Sequence, residues 1–469
     1  MCEDEMSQKF PPGRAPANNV VSVISLFNRF QQDFIGEMNQ LFDTYGDIVS
    51  MEMMGRRTYL LRHPDHLHRV LVEDAASYYK NADYTDERRG LARFLGNGLL
   101  TSDGEFWKRQ RKLVSPALHM KRIAGYAETM VEETRKMLDR WDDGALIDID
   151  HEMMRTTLGI VTRSLFQADI DTEADRVGSA VTVLQEFASS SNTIETFLPD
   201  WVPTPRRTRE QNAVRDLDRV VYGVIENWRR QSEDHGDLLS MLMLARDDDG
   251  QPMSDRQVRD EIVTIFLAGH ETTANTLNFA LYLLSRRPEA AARLREEIDE
   301  VLHGTPPTLD DLKHLPYTER VIKEAMRLYP PAFTVSRVAI RDTTIGEYDV
   351  PADTDVVISI YGAHHDPRWW SNPEAFDPDR FLPELEDARP RYAFLPFGAG
   401  PRVCVGFGFA QMEAQIMLAM IAQRFAFDAP AHNLEKDARL TLRPKGGLRL
   451  RAHARQRTPD ALPAGMPTF

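Results

Sequence analysis

The chain of 469 residues has very little cysteine, only Cys2 and Cys404. A disulfide framework is thereby excluded, and such usage suits a reducing cytoplasm. Long apolar runs are also missing. The most apolar early stretch, residues 20–27, is far shorter than the ~20 residues that span a bilayer. Residues 1–6 are acidic and no small-residue cleavage site follows a long apolar run, so no signal peptide is expected. Positive charge is in deficit: 57 Lys and Arg stand against 72 Asp and Glu, a net charge of −15. That balance argues against nucleic acid or an anionic membrane as the main partner. There is no internal repeat and no low-complexity block. With 42% apolar and 28% charged residues, bulk disorder is excluded too. The expectation is a soluble cytoplasmic protein without a membrane anchor, a monomer, and a single domain over 1–456 with a flexible tail over 457–469.

What is present is mostly helical periodicity, clear over 105–141, 260–285, 289–302, 317–328 and 405–425. Three short strand-rich patches interrupt it. One is a hairpin of 47–53 and 57–61 around Met54-Gly55-Arg56, the second spans 333–360, and the third lies over 439–451 around Lys445-Gly446-Gly447. Segments 199–205 and 247–255 read as loops, since helical patterns resume on each side. The fold class is mainly α (α+β), one large helix-rich domain with small β-sheets.

The densest chemical signal surrounds the second cysteine, in Phe397-Gly398-Ala399-Gly400-Pro401-Arg402-Val403-Cys404-Val405-Gly406. Two glycines and a proline make a tight turn in which φ > 0 is allowed. The apolar helical pattern that follows puts Cys404 at a helix N-terminus, where free N–H groups and the helix dipole favour a thiolate. Gly406 would let the helix backbone lie against a flat macrocycle, and Arg402 offers a cation to a carboxylate. For a lone cysteine the ordinary reading is a small buried hydrophobe. Zinc is disfavoured, because no second Cys and no His stand at ligand spacing nearby. A nucleophilic cysteine would need a partner base, which the sequence leaves open.

Other patterns are weaker alone. Glu324 and Arg327 stand three apart on one helix face, which by itself describes a surface ion pair. Gly269 interrupts the 260–285 helix at a cost of ~1 kcal/mol relative to Ala. It lies in Ala268-Gly269-His270-Glu271-Thr272-Thr273, where hydroxyls could bond back to the preceding turn. Trp107 and Arg111 are four apart and share a face.

Together, Phe397-x-x-Gly-x-Arg-x-Cys-x-Gly and these distant motifs resemble the cytochrome P450 family, over most of the chain. The resemblance implies that Cys404 is the thiolate ligand of a haem b iron, with Phe397, Arg402 and Gly406 against the cofactor. It implies a buried triad of Glu324, Arg327 and Arg380 that braces the haem side of the core. Trp107, Arg111 and Arg337 would meet the haem propionates. Ala268 and Gly269 would pass over the ring. Glu271 and Thr272 would form an acid–alcohol pair that delivers protons to bound O2, and His270 is read as environment, not a ligand. The implied activity is monooxygenation of a hydrophobic small molecule such as a fatty acid, terpenoid or steroid-like compound. Phe94, Phe187, Phe197, Phe333 and Val335 are the expected pocket residues. No flavin or nicotinamide fingerprint follows a strand, so electrons from NAD(P)H should arrive through a separate ferredoxin or flavodoxin. Lys108, Arg109 and Lys112, with Lys121 and Arg122, are the expected docking face. Two rivals remain at this point: a peroxide-dependent enzyme on the same scaffold, and a non-enzymatic haem carrier or sensor.

Overall fold

The longest helical pattern extends further than its periodicity announces, to 31 residues at Asp255–Ser285. Ser254 caps it by accepting the Gln257 N–H, which satisfies one orphan donor of the first turn. Residues 258–267 and 273–284 of this helix are all buried, so it runs through the middle of the molecule, not along its surface. The structure, a computed structural model, describes residues 8–88, 90–166, 174–189, 202, 204–231, 233–234, 237–246, 250–430 and 433–455. The expected C-terminal tail, over 457–469, and Phe197 lie outside these residues.

The helices that carry the site are α1 (Gly104–Val114), α2 (Ala127–Leu138), α3 (Ile149–Phe166), α4 (Pro205–Gln231), α5 (Asp255–Ser285), α6 (Pro316–Leu328) and α7 (Phe407–Arg424). Helix α5 packs against α3, α4, α6 and α7, and α7 in turn against α2. The single helix expected over 105–141 is a correction. It is broken after Val114 by short turns at Ser115–Leu118, Met120–Ile123 and Ala124–Tyr126. Pro116 cannot donate an amide, and its ring excludes the preceding helical carbonyl.

The first two strand patches meet in one five-stranded sheet. Its strands are β1 (Ile48–Met53), β2 (Arg56–Leu61), β3 (Tyr78–Tyr79), β4 (Thr334–Ala339) and β5 (Asp355–Ser359), in the order β1-β2-β5-β4-β3. The expected β1–β2 hairpin forms, turning at Met54 and Gly55 with φ of 50° and 79°. Its join to the later patch is the parallel pair β2–β5, with Thr58 opposite Asp355. The third patch splits. Lys436–Ala438 pairs with Leu442–Pro444, while Arg449–Ala454 pairs with Leu146–Asp148 and Phe425–Phe427. The last two strands are too short to carry a readable period.

Candidate active site

The loop before α7 is shaped by backbone, as its glycines foretell. Gly398 and Gly400 take φ of 71° and 66°. A Cβ on Gly400 would lie 1.9 Å from the Leu71 carbonyl oxygen, so only glycine fits there. The Cys404 N–H donates to the Phe397 carbonyl at 2.9 Å, which folds the loop back on itself. Helix α7 begins only at Phe407, with Gly406 as its N-cap, so Cys404 precedes the helix by two residues more than its apolar pattern implied. The Cys404 side chain is exposed, and a Cβ on Gly406 would meet nothing within 4 Å. Yet desolvation by the surrounding protein pushes the thiol pKa up, against the Gly406 N–H and the Arg111 charge, which pull it down. A sulfur that faces open space but is poorly solvated lines a recess, not the outer surface. The expected lowering by the helix terminus is therefore outweighed by burial in the chain as it stands.

A cationic cluster surrounds this recess. Arg402 stacks on the Trp107 indole, 3.7 Å from guanidinium to ring centroid. It also donates to the Ser102 carbonyl at 3.0 Å and to the Asp103 carboxylate. Burial pushes its pKa down to about 10. Arg402 was expected to serve an external carboxylate, but an internal one already holds it. Arg111 and Arg337 have no carboxylate partner among the described residues; Arg337 donates to the Ser336 carbonyl at 2.8 Å. Burial lowers the pKa of both. Lys80, which no sequence pattern singled out, joins them. It is buried, donates to the Leu99 carbonyl at 3.2 Å, and its pKa falls well below normal through burial and the charges of Arg402 and Arg337. Repulsion links these four cations, and the acids opposing them among the described residues are Asp103, Glu261 and, toward Arg111, the Cys404 thiol. Desolvated positive charge in such excess calls for an anion. A planar group with two carboxylates and a soft metal that takes one thiolate fits this donor set, and no cluster of three His, Cys, Asp or Glu among the described residues offers another metal site.

Helix α5 has one window. Ala268 is exposed, and Gly269 and Thr272 are half-buried, between two stretches of complete burial. Ala268 and Thr272 lie one turn apart on the same face, with Thr264 and Asp260 in line above them. The Thr272 hydroxyl donates to the Ala268 carbonyl at 2.9 Å. Gly269 needs a different explanation from the expected one. Its missing Cβ would sit 3.1 Å from Val161 Cγ2, so it lets α3 and α5 close together. Glu271 is buried and points away from Thr272, roughly one hundred degrees round the helix. Its carboxylate accepts the Thr441 hydroxyl at 2.7 Å, and Asn275 donates to Thr441 at 3.3 Å. The acid and the alcohol therefore do not touch, and Thr441 is a further partner that no local pattern revealed. His270 contacts the Phe266 carbonyl with Nδ1 and is buried, as an environmental residue should be.

Glu324, Arg327 and Arg380 come together in the core. Arg327 gives Glu324 two bonds of 2.7 and 2.8 Å, with both side chains fully buried, and Arg380 Nε stands 3.4 Å from the same carboxylate. Glu324 also accepts the Asp377 N–H at 3.0 Å. Burial pushes the Glu324 carboxyl up while the Arg327 bonds pull it down. Arg327 donates to the His364 carbonyl at 3.0 Å, and His364 Nε2 accepts the Leu395 N–H at 3.0 Å. His364 is thus the missed link from the triad to the cysteine loop. Lys108, Arg109, Lys112, Lys121 and Arg122 are all exposed. The apolar candidates scatter. Phe94 belongs to the main core, Val335 packs on the sheet, Phe333 lies with Ile35 and Tyr361 against Phe34, and Phe187 is half-buried under Arg206.

The family model described as Cytochrome P450 matches residues 11–450. Cyclooctatin synthase of Streptomyces melanosporofaciens is 38% identical over 81% of this chain and 83% of its own. From the same organism, cyclooctat-9-en-7-ol 5-monooxygenase is 36% identical over 81% and 82%. Pentalenene oxygenase of Streptomyces avermitilis is 36% identical over 88% and 91%. No helix among the described residues is long and apolar enough to cross a membrane.

Proposed function

The chain belongs to the cytochrome P450 family and is a cytochrome P450 monooxygenase, and from that premise we propose that it oxygenates a terpenoid-like lipophile. Of the fatty acid, terpenoid and steroid-like classes, the terpenoid is favoured by relatives named for acting on pentalenene and cyclooctat-9-en-7-ol. The observation that carries the site assignment is the exposed Cys404 thiol in a recess beside Arg111, Arg337 and Lys80, none of which has a carboxylate ion pair among the described residues.

In this reading Cys404 Sγ would hold the haem iron and Arg111, Arg337 and Lys80 would hold the propionates, with Trp107 keeping Arg402 beside them. Bound there, the haem supplies dioxygen activation and O–O cleavage. Ala268 leaves room for a small ligand at the α5 window. Thr272 Oγ1 gives up its bond to the Ala268 carbonyl and holds a proton toward that space, while Glu271, reached through Thr441 and Asn275, supplies protons from the other face of the helix. Electrons come from NAD(P)H through a separate ferredoxin or flavodoxin that meets the basic face of α1.

The test is the absorption spectrum of the reduced, CO-bound protein. A thiolate-type band that Cys404→His converts to the histidine type is the expected result. A histidine-type band in the intact wild type overturns the ligand assignment. Substrate is then sought by the haem absorption shift across a panel of cyclic terpenes, fatty acids and steroids.

A further inference from the structure

The first turns of α5 hold three buried side chains that take no part in ligation or proton delivery: Asp260, Glu261 and Thr264. They face the loop 96–101. Asp260 accepts the Asn97 N–H at 2.9 Å, and Glu261 accepts the Leu99 N–H at 3.0 Å. The loop is itself tightly wound, with the Thr101 hydroxyl on the Gly96 carbonyl at 2.7 Å. Its two glycines allow the approach. A Cβ on Gly98 would stand 2.2 Å from Thr264 Oγ1 and 2.7 Å from the Asp260 carbonyl.

Two further ties make the loop part of a larger lid. Arg259 bridges Asp260, at 3.0 Å, to Asp218 of α4, at 2.7 Å. Arg93, just before the loop, pairs with Glu210 of the same helix at 2.6 Å. On its other side the loop is held by Lys80, through the Leu99 and Leu100 carbonyls. Asp260, Thr264, Ala268 and Thr272 follow at intervals of four residues, so they form one stripe of α5. With a rise of about 1.5 Å per residue, the loop sits about 6 Å along that stripe from the window at Ala268.

We propose that Asp260 and Glu261 are positioning residues that clamp the 96–101 loop on α5 beside the open window at Ala268 and thereby set the size of ligand admitted to the site. This rests on the haem reading of the preceding section. The backbone N–H groups of Asn97 and Leu99 are the clamped atoms, so side-chain identity in the loop governs contact while the two carboxylates govern closure. Consecutive acids on one helix point in different directions, and each takes a different amide, which fixes the loop against both sliding and lifting.

The experiment uses alkyl isocyanides, which bind ferrous haem and do not titrate. Association rates of methyl isocyanide and tert-butyl isocyanide are measured by stopped flow on the haem-loaded wild type, Glu261→Ala, Glu261→Gln and Gly98→Ala. Losing one buried, charge-assisted bond should speed tert-butyl isocyanide about fivefold in Glu261→Ala and leave methyl isocyanide unchanged. Gly98→Ala should act in the same direction, because its Cβ pushes the loop off Thr264. Glu261→Gln keeps an acceptor for the Leu99 N–H and should restore wild-type rates. A change that is equal for both probes, no change, or a Gln variant that behaves like Ala overturns the clamp. If Glu261→Ala fails to load haem, the size dependence in Gly98→Ala decides. A wild-type CO spectrum without the thiolate signature refutes the haem reading itself, independently of the isocyanide rates.

Discussion

Glu261→Gln should make the protein more stable as pH rises, although it replaces a residue that makes a good hydrogen bond. Burial raises the Glu261 pKa from its ordinary 4.5 to about 7; the neighbouring Asp260 charge adds to this, and the Leu99 N–H and Lys80 oppose it. A carboxyl whose pKa is raised on folding holds its proton more tightly in the folded chain. Its contribution is fully present below about pH 4.5 and is lost as pH climbs through about 7, because the fold must then accommodate a charge that the unfolded chain solvates freely. At 1.36 kcal/mol per unit, the full span is about 3 kcal/mol, and the part between about pH 5.5 and about pH 8 is about 2 kcal/mol. Gln cannot ionise, so it escapes this loss. Its amide also meets an unpartnered environment, since Glu261 Oε1 has no hydrogen-bond partner. That cost does not depend on pH, and it cancels when the two pH values are subtracted. The assay is urea unfolding of haem-loaded wild type and Glu261→Gln at both pH values, with the slopes compared to verify that equal surface is exposed. The stability difference should move by about 2 kcal/mol in favour of Gln from the lower pH to the higher. A shift under about 1 kcal/mol, or one of opposite sign, would mean that Glu261 titrates near its ordinary value and that its burial is not as the fold implies.

Glu324→Ala leaves the fully buried Arg327 guanidinium without its carboxylate and should cost about 3–5 kcal/mol, a large share of a typical folding free energy. Haem content after expression is the readout, and near-stoichiometric loading with an unchanged melting temperature would contradict it. Thr272→Ala should lower the yield of product per NAD(P)H consumed about tenfold or more and divert the electrons to peroxide, measured with a surrogate ferredoxin; unchanged coupling would remove Thr272 from proton delivery. Reversing charge at exposed Lys108 and Arg109 together should slow reduction by an acidic donor at low salt and lose its effect at high salt. Equal rates at both salts would move the docking face elsewhere.

Much of this site is local, and so it is legible from the chain alone. Glycine and proline spacing before Cys404 dictates a turn whatever surrounds it, and Gly398 and Gly400 do take the left-handed conformation. Helical periodicity places Glu324 beside Arg327 and Ala268 above Thr272, because a helix brings residues three or four apart into contact by its own geometry. Where periodicity was read across a proline, over 105–141, the expectation was wrong, since one missing amide outweighs many favourable positions.

Tertiary packing decided the rest. Nothing in the neighbourhood of Gly269 says that its missing side chain accommodates Val161 of α3, nor that Glu271 reaches Thr441 and not the adjacent hydroxyl. Lys80 enters the cationic cluster, and His364 joins the triad to the cysteine loop, across separations for which no pattern exists. Asp260 and Glu261 look like two more charges on a helix until the loop 96–101 is laid on them. Side-chain type and spacing determine which chemistry a segment can perform, because those depend on a few bonds of local geometry. Which groups are desolvated together depends on how distant segments meet, and desolvation is what turns an ordinary lysine, histidine or glutamate into part of a site.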